Sequence, residues 1–157
     1  MTGSASVSGR RAFRAVTGPW LTITTGGIDR AQNGQAGTQR ANQVLDDPYA
    51  DQSINPQNGG LRFLNPMAFA TPALGTLGTI QRNSIRGIGS KNVDMTLNRV
   101  FRLGSKDLEI RGEAFNVFNW LNWSQPATGV NSATFGQSTT VVANSPRIIQ
   151  LAVKYLF

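Results

Sequence analysis

The chain has 157 residues, with fifteen Lys and Arg against eight Asp and Glu, and it contains neither His nor Cys. These absences exclude Ser-His-Asp triads, cysteine nucleophiles, disulfides and zinc sites with the usual ligands. The formal net charge of +7 suggests an anionic partner, but only 15% of residues are charged, below the roughly 25% of an ordinary soluble domain. Abundant Gly, Asn, Ser and Thr favour strands and turns over helices.

The first part of the chain predicts two strands separated by a turn. Residues 4–15 combine Val, Phe and Ala with three arginines and predict a weak first strand. Residues 17–19 (TGP) predict a turn, because proline cannot continue a strand ladder. Residues 20–25 (WLTITT) alternate apolar and threonine side chains and favour a second strand.

Residues 26–89 contain repeated turn signals and no sustained apolar alternation. Examples are Asn33-Gly34 and Asp47-Pro48. The segment is far longer than the ~12–15 residues at which an unstructured loop becomes unusual in a compact domain. We therefore expect a long loop, either functional in itself or part of an architecture with long loops.

The last third of the chain has the clearest strand pattern. Residues 92–103 and 106–119 alternate apolar and polar side chains, and the Gly-Ser pair between them predicts a long antiparallel hairpin. Residues 120–145 predict a second long loop, and residues 146–157 (PRIIQLAVKYLF) a final strand. Such strands exceed the usual five or six residues and match the ~9–11 of a tilted barrel strand.

The predicted fold is all-β, an antiparallel meander of about five long strands that forms an incomplete segment of a transmembrane β-barrel. Tight turns at 17–19 and 104–106 should lie at one end of the sheet, and the loops 26–89 and 120–145 at the other. This asymmetry is typical of outer-membrane barrels. No apolar run is long enough for a membrane-spanning helix, and the N-terminus lacks the apolar region of a signal peptide.

Seven segments, in their order and spacing, together resemble one family. They are TGPWLTITTG, QRANQVLDDPY, LNPMAFATPALGTLG, QRNSIRGIGSKNVDMTLNRVFRL, LEIRGEAFNVFNWLNW, ATFGQ and SPRIIQLAVKYLF. They resemble the C-terminal β-barrel portion of a TonB-dependent outer-membrane receptor, of the type that contains a carboxypeptidase-regulatory-like domain.

The resemblance implies that residues 1–157 are a C-terminal fragment of a barrel of about 22 strands, with the plug and earlier strands absent. On this reading Met1 is a truncation or an internal start. The implied location is the outer membrane, and the implied partners are outer-membrane lipid, the barrel-assembly machinery and, through the missing N-terminal parts, the TonB complex. The intact receptor would import a scarce solute, such as a siderophore, cobalamin or an oligosaccharide. No transport is expected from the fragment alone.

An alternative from another class is a small soluble or secreted basic β-protein that binds glycans or polyanions through its long loops. Alternation alone does not separate the two classes, because both place apolar residues on one face of a sheet. An open reading frame upstream of Met1, with further amphipathic strands and a plug, would distinguish the receptor.

The final strand carries four side chains at two-residue steps, which therefore share one face. The resemblance identifies this ending as the barrel-assembly signal, with Leu151, Val153, Tyr155 and Phe157 as its residues.

Two tryptophans, Trp120 and Trp123, follow the hairpin in the segment FNWLNW. We interpret them as part of an aromatic girdle at the membrane–water interface, with a sugar-stacking platform for a ligand as the alternative. Trp20 and Tyr155 would then mark the opposite, periplasmic interface.

The alternation also divides the strands into two faces. The predicted lipid-facing set is Val93, Met95, Leu97, Leu108, Ile110, Ala114, Ile149, Leu151, Val153, Tyr155 and Phe157. The predicted lumen-facing set is Asp94, Thr96, Arg102, Glu109, Arg111, Glu113, Gln150 and Lys154.

Other kinds of site are not expected. The basic residues are mostly scattered and no nucleic-acid recognition motif is present, so nucleic acid is not an expected partner. The acidic segment LDDPYAD lacks the ligand spacing of a calcium loop. No histidine is present to activate a serine, and we predict no enzyme, no metal and no cofactor.

Overall fold

A computed structural model describes residues 5–143 and 145–157, which divide into two compact units. Ser4, in the first predicted strand, and Asn144, in the second predicted loop, lie outside the described residues. The strands in chain order are β1 Ala5–Val16, β2 Trp20–Leu21, β3 Asn42–Gln43, β4 Leu61–Arg62, β5 Phe69–Ala70, β6 Ile85–Arg86, β7 Ser90–Leu103, β8 Lys106–Phe115, β9 Gln137–Ser138 and β10 Ile148–Leu156.

Short helical turns of the 3₁₀ type occur at Ala36–Thr38 and Pro66–Ala68. Within the described ranges, no helix has the length and apolar character needed to cross a membrane.

Four strands form the long-strand sheet, in the order β1-β7-β8-β10. Strands β7 and β8 pair antiparallel, with Leu103 opposite Lys106 near the turn and Met95 opposite Ala114 further along. Strand β10 pairs antiparallel with the other side of β8. The predicted all-β antiparallel fold is confirmed, and the sheet is not closed within the described residues.

The predicted hairpin is present, and backbone conformation determines both its turn and the point at which its second strand ends. Gly104 has φ of +71° in the turn, a value that glycine adopts without steric cost. Strand β8 ends at Phe115, because Asn116 has φ of +49° and turns the chain out of the ladder. The predicted strand 106–119 is therefore four residues too long.

The expectation of five long strands in one sheet is wrong at residues 20–25. Only Trp20–Leu21 is a strand there, and it pairs with β6 and not with β1. The neighbour of β1 in the sheet is β7, so the predicted tight turn at 17–19 is also wrong. The physical reason is that the alternating apolar residues Leu21 and Ile23 are buried in a separate core and do not belong to a face of the long-strand sheet.

The second compact unit, called the loop unit here, consists of residues 17–90 and 123–142. In two of its strand pairs, β3–β5 and β4–β9, two residues of one strand pair with two residues of the other. The β4–β9 pair links the two segments of the chain that the sequence predicted as separate loops. The core contains Leu21, Ile23, Ala41, Phe63, Leu64, Ala68, Phe69, Ile80, Ile85 and Phe135.

The predicted long loop 26–89 contributes most of the core of the loop unit. Its apolar side chains are isolated between turn signals and contact residues that are far away in the sequence. No local hydrophobic period therefore identifies them as core residues. Phe69 and Phe135, for example, pack edge to face with ring centroids 5.5 Å apart. A close backbone approach adds to this packing, since a Cβ atom at Gly18 would overlap the carbonyl group of Gly87.

Candidate functional site

The strand register gives the long-strand sheet one apolar face and one polar face. Residues directly opposite each other share a face, and one such row is Leu97, Gly112 and Leu151. The register therefore brings each of the two predicted sets together on its own face. We call these the apolar face and the polar face of the sheet.

The four residues of the predicted assembly signal form an exposed stripe on the apolar face. Leu151 is 81% exposed and Phe157 is 97% exposed, and Val153 and Tyr155 are also exposed. The rings of Tyr155 and Phe157 lie 6.2 Å apart. The stripe has the geometry that was predicted, and its role in barrel assembly stays a prediction.

The polar face carries charged side chains that pair with one another. The Asn98 side chain donates to Glu109 Oε1 at 2.8 Å across the β7–β8 pair. Arg111 and Glu113, two residues apart on β8, form an ion pair. Lys154 stands opposite Glu109 on β10. Such a surface suits contact with water, since an unpaired charge in an apolar medium is costly.

Of the two predicted aromatic residues, Trp120 belongs to the unit that contains the long-strand sheet. Its ring stacks on that of Phe118 at 4.9 Å, and the Lys91 ammonium lies 4.6 Å from the ring centroid. Trp123 belongs to the loop unit, where it forms a bridge to Val141. The place of Trp120 in an aromatic girdle stays a prediction.

Trp20 does not occupy the position that the sequence suggested. It lies in β2 of the loop unit, where the Arg86 guanidinium sits 4.0 Å above its ring. Tyr155 lies in β10 opposite Leu108, close to the tight turn of the hairpin. The expectation that Trp20 lies at the turn end of a barrel strand is therefore wrong, because no such strand forms at this point.

No sequence pattern predicted a role for Asn116, which is 99% buried. Its amide nitrogen donates to the carbonyl of Trp120 at 2.9 Å and to that of Ser145. Its side-chain oxygen accepts from the Trp120 backbone N–H at 3.0 Å, and its own backbone N–H donates to Asp94 at 3.0 Å. The only local signal is an asparagine after an apolar strand residue, which also fits an ordinary turn.

The loop unit contains an open cavity of about 770 Å³, and most of the residues that line it are of polar types. The cavity is lined by Thr22, Thr24, Asn33, Gln35, Gln39, Arg40, Leu77, Gly78, Arg82 and Asn83. Within the described residues, neither Arg40 nor Arg82 has a carboxylate at ion-pairing distance. The lining therefore includes two arginines and several amide-bearing residues, and no acidic residue is among the described residues that line it.

Buried Gln39 holds one side of this cavity. Its side-chain oxygen accepts from the backbone N–H groups of Arg30 at 2.7 Å and Ala31 at 3.0 Å. Its amide nitrogen donates to Asp29 and Asn33. The backbone N–H of Gly34, followed by the Gln39 amide, lowers the pKa of Asp29 below its ordinary value. Asp29 is thus a fixed anion that organises the loop.

The acidic segment LDDPYAD organises local turns. Asp47 accepts from the backbone N–H of Tyr49 at 3.0 Å. Asp51 accepts from the hydroxyl of Ser53 at 2.9 Å and from its backbone N–H at 3.2 Å, and the Ser53 hydroxyl lowers the pKa of Asp51. These contacts are those of Asx turns in a loop.

A family model described as an outer membrane beta barrel domain matches residues 10–150. No curated protein and no solved structure matches the chain significantly.

Proposed function

The chain belongs to the outer membrane beta barrel domain family and is an outer-membrane protein, and on this premise we propose that it is part of a TonB-dependent receptor. The proposed activity is the import of a scarce solute that is too large for open pores. The long-strand sheet would form part of the barrel wall, with its apolar face toward lipid and its polar face toward the lumen.

The observation that carries the proposal is the folded loop unit with its polar cavity. In outer-membrane barrels the longer connections are extracellular. A connection with its own core and an arginine-lined cavity is suited to capturing a solute, which a flexible loop would not hold in place. The sequence resemblance described above supplies the TonB-dependent type.

The chemistry of the cavity favours one property of the solute. Arg40 and Arg82 favour anionic oxygen groups, and the surrounding amides and hydroxyls favour further hydrogen bonds. Siderophore complexes with anionic donor groups and acidic oligosaccharides both have this chemistry. In this proposal the partners are outer-membrane lipid, the barrel-assembly machinery, the TonB complex and the solute. The outer-membrane location replaces the soluble or secreted alternative.

The proposal can be tested by uptake in cells that make the protein from its complete gene. The probes are radiolabelled ferric siderophores, cobalamin and acidic oligosaccharides, each supplied at a limiting concentration. We expect uptake of one probe class to require both this protein and TonB. Uptake that persists without TonB would contradict the proposal, because passive diffusion would then be sufficient.

A matched pair of variants tests the cavity. Arg40→Gln combined with Arg82→Gln should reduce uptake at limiting solute by about tenfold or more, since two charge-assisted contacts are lost. Arg62→Gln removes one charge of the same sign from a loop-unit residue outside this cavity lining and should leave uptake unchanged. Equal effects of the two changes would show that the cavity is not the site of capture.

A further inference from the structure

On strands β7, β8 and β10 the acidic residues lie on the polar face alone, whereas cations lie on both faces. On the three strands β7, β8 and β10, all described, the apolar face carries Lys91, Arg99 and Lys106 and no acidic residue. The acidic residues of these strands all lie on the polar face, at Asp94, Asp107, Glu109 and Glu113. Three cations on the face predicted to meet lipid therefore have no anion of the same face to pair with.

Two of these cations converge on one row of side chains near the tight turn. Phe101, Leu108 and Tyr155 lie side by side across β7, β8 and β10. The Arg99 guanidinium lies 4.6 Å from the Phe101 ring centroid, and the Lys106 ammonium lies 5.8 Å from that of Tyr155. Leu108 lies between Phe101 and Tyr155 in this row.

The direction of Arg99 agrees with a lipid interface. Phe101 is two residues closer to the turn, so the guanidinium of Arg99 points toward the turn end. Arg99 is four residues from the end of β7, roughly 9 Å along the membrane normal for a tilted strand. An arginine on the lipid face is costly at mid-bilayer and far less so at the interface. Extension toward the interface relieves this cost, and a lipid phosphate would supply the missing anion.

We propose that Arg99 and Lys106 bind the phosphate-bearing headgroup of an anionic phospholipid in the periplasmic leaflet. Short turns of outer-membrane barrels are periplasmic, which places the hairpin turn on that side. The acyl chains of the lipid would lie along exposed apolar residues of the same face, which include Leu97, Ile110 and Val153. The two cations are complementary in charge to an anionic lipid headgroup, and each of them lies against an aromatic ring. A neutral surface lacks the complementary charge.

Native mass spectrometry of the full-length protein purified from outer membranes tests this proposal. The probes are phosphatidylglycerol and phosphatidylethanolamine with identical acyl chains, added to the protein in detergent. We expect phosphatidylglycerol adducts to survive at higher collision energy. Arg99→Gln combined with Lys106→Gln should reduce their retention by about tenfold. Equal retention of the two lipids by the wild-type protein would overturn the proposal, and so would unchanged retention in the double variant.

Two further variants separate binding from folding. Arg102→Gln removes one cation at the same height but on the polar face, opposite Asp107, and should leave adduct retention unchanged. Arg99→Lys keeps the charge and should retain most of the binding. A loss in Arg102→Gln equal to that in the double variant would mean that the site is not on the apolar face. Excess inorganic phosphate should not displace the adduct, because a free ion lacks the acyl chains.

Discussion

At the scale of single residues, Asn116 combines a backbone requirement with a hydrogen-bonding requirement. Its φ of +49° is a conformation that asparagine tolerates better than most residues. Its buried side chain satisfies one backbone donor and two backbone acceptors of the connection between β8 and β10. Because buried polar groups without partners are costly, the end of this strand depends on one amide.

We predict that Asn116→Ala destabilises the folded protein by about 2–4 kcal/mol, since it leaves buried backbone groups unpaired and strains the left-handed conformation. Urea unfolding in lipid vesicles, followed by tryptophan fluorescence, measures this change. Asn119→Ala is the matched control. Asn119 also has a positive φ, of +53°, but its side-chain oxygen accepts a single bond, from Arg147 N–H. A destabilisation as large in Asn119→Ala would show that backbone strain alone accounts for the effect.

At the scale of elements, strand β10 shows how the two faces of the sheet differ in their surroundings. It lies at one end of the strand order and is exposed along its whole length. Leu151 and Gln150 are neighbours in sequence, and they pair with Gly112 and Glu113 on opposite faces of β8. A single step along this strand therefore exchanges an apolar environment for a polar one.

We predict that Leu151→Arg costs about 2–4 kcal/mol in the membrane, whereas Gln150→Arg costs little, because only the first places a charge against lipid. Heat-modifiable electrophoretic mobility of the full-length protein in outer-membrane fractions reports folding of both variants. Gln150→Arg also brings a cation opposite Glu113, which adds to its expected tolerance. If both variants fold equally well, the assignment of the apolar face to lipid fails.

At the scale of the whole molecule, the chain has two packing units with different physical bases. The loop unit has a hydrophobic core of its own, in which Ile23 and Leu64 are almost fully buried. The unit with the long-strand sheet keeps large apolar side chains exposed on β10, as expected of a surface that lipid covers. Membership of an outer-membrane family gives this exposure its physical explanation.

Leu64→Ala should lower the free energy of unfolding of the loop unit by about 2–5 kcal/mol, because it opens a cavity in the core of that unit only. The long-strand sheet should stay folded. Limited proteolysis of the reconstituted protein should then cut within residues 17–90, while heat-modifiable mobility is retained. Leu74→Ala changes the same residue type at an exposed position and should not increase cleavage. Loss of heat-modifiable folding in Leu64→Ala would show that the two units do not fold independently.

Local patterns were sufficient to predict β7, the β7–β8 turn, β10 and the assignment of side chains to two faces. The reason is that a strand has a period of two, so alternation in the sequence maps directly onto faces once the register is set by a tight turn. The stripe Leu151, Val153, Tyr155 and Phe157 follows from the same rule. The position of Trp120 beside the end of β8 could also be anticipated, since only four residues separate it from Phe115.

The sequence by itself determined an all-β chain with apolar and polar faces on its long strands. Only the tertiary structure decided that β1 pairs with β7, that residues 17–90 and 123–142 share a core, and that Arg40 and Arg82 line one cavity. These features depend on contacts between residues far apart along the chain, such as Phe69 with Phe135, which leave no periodic trace in the sequence. The alternation of residues 20–25 was therefore real, but the core that it serves could be identified only from the folded chain.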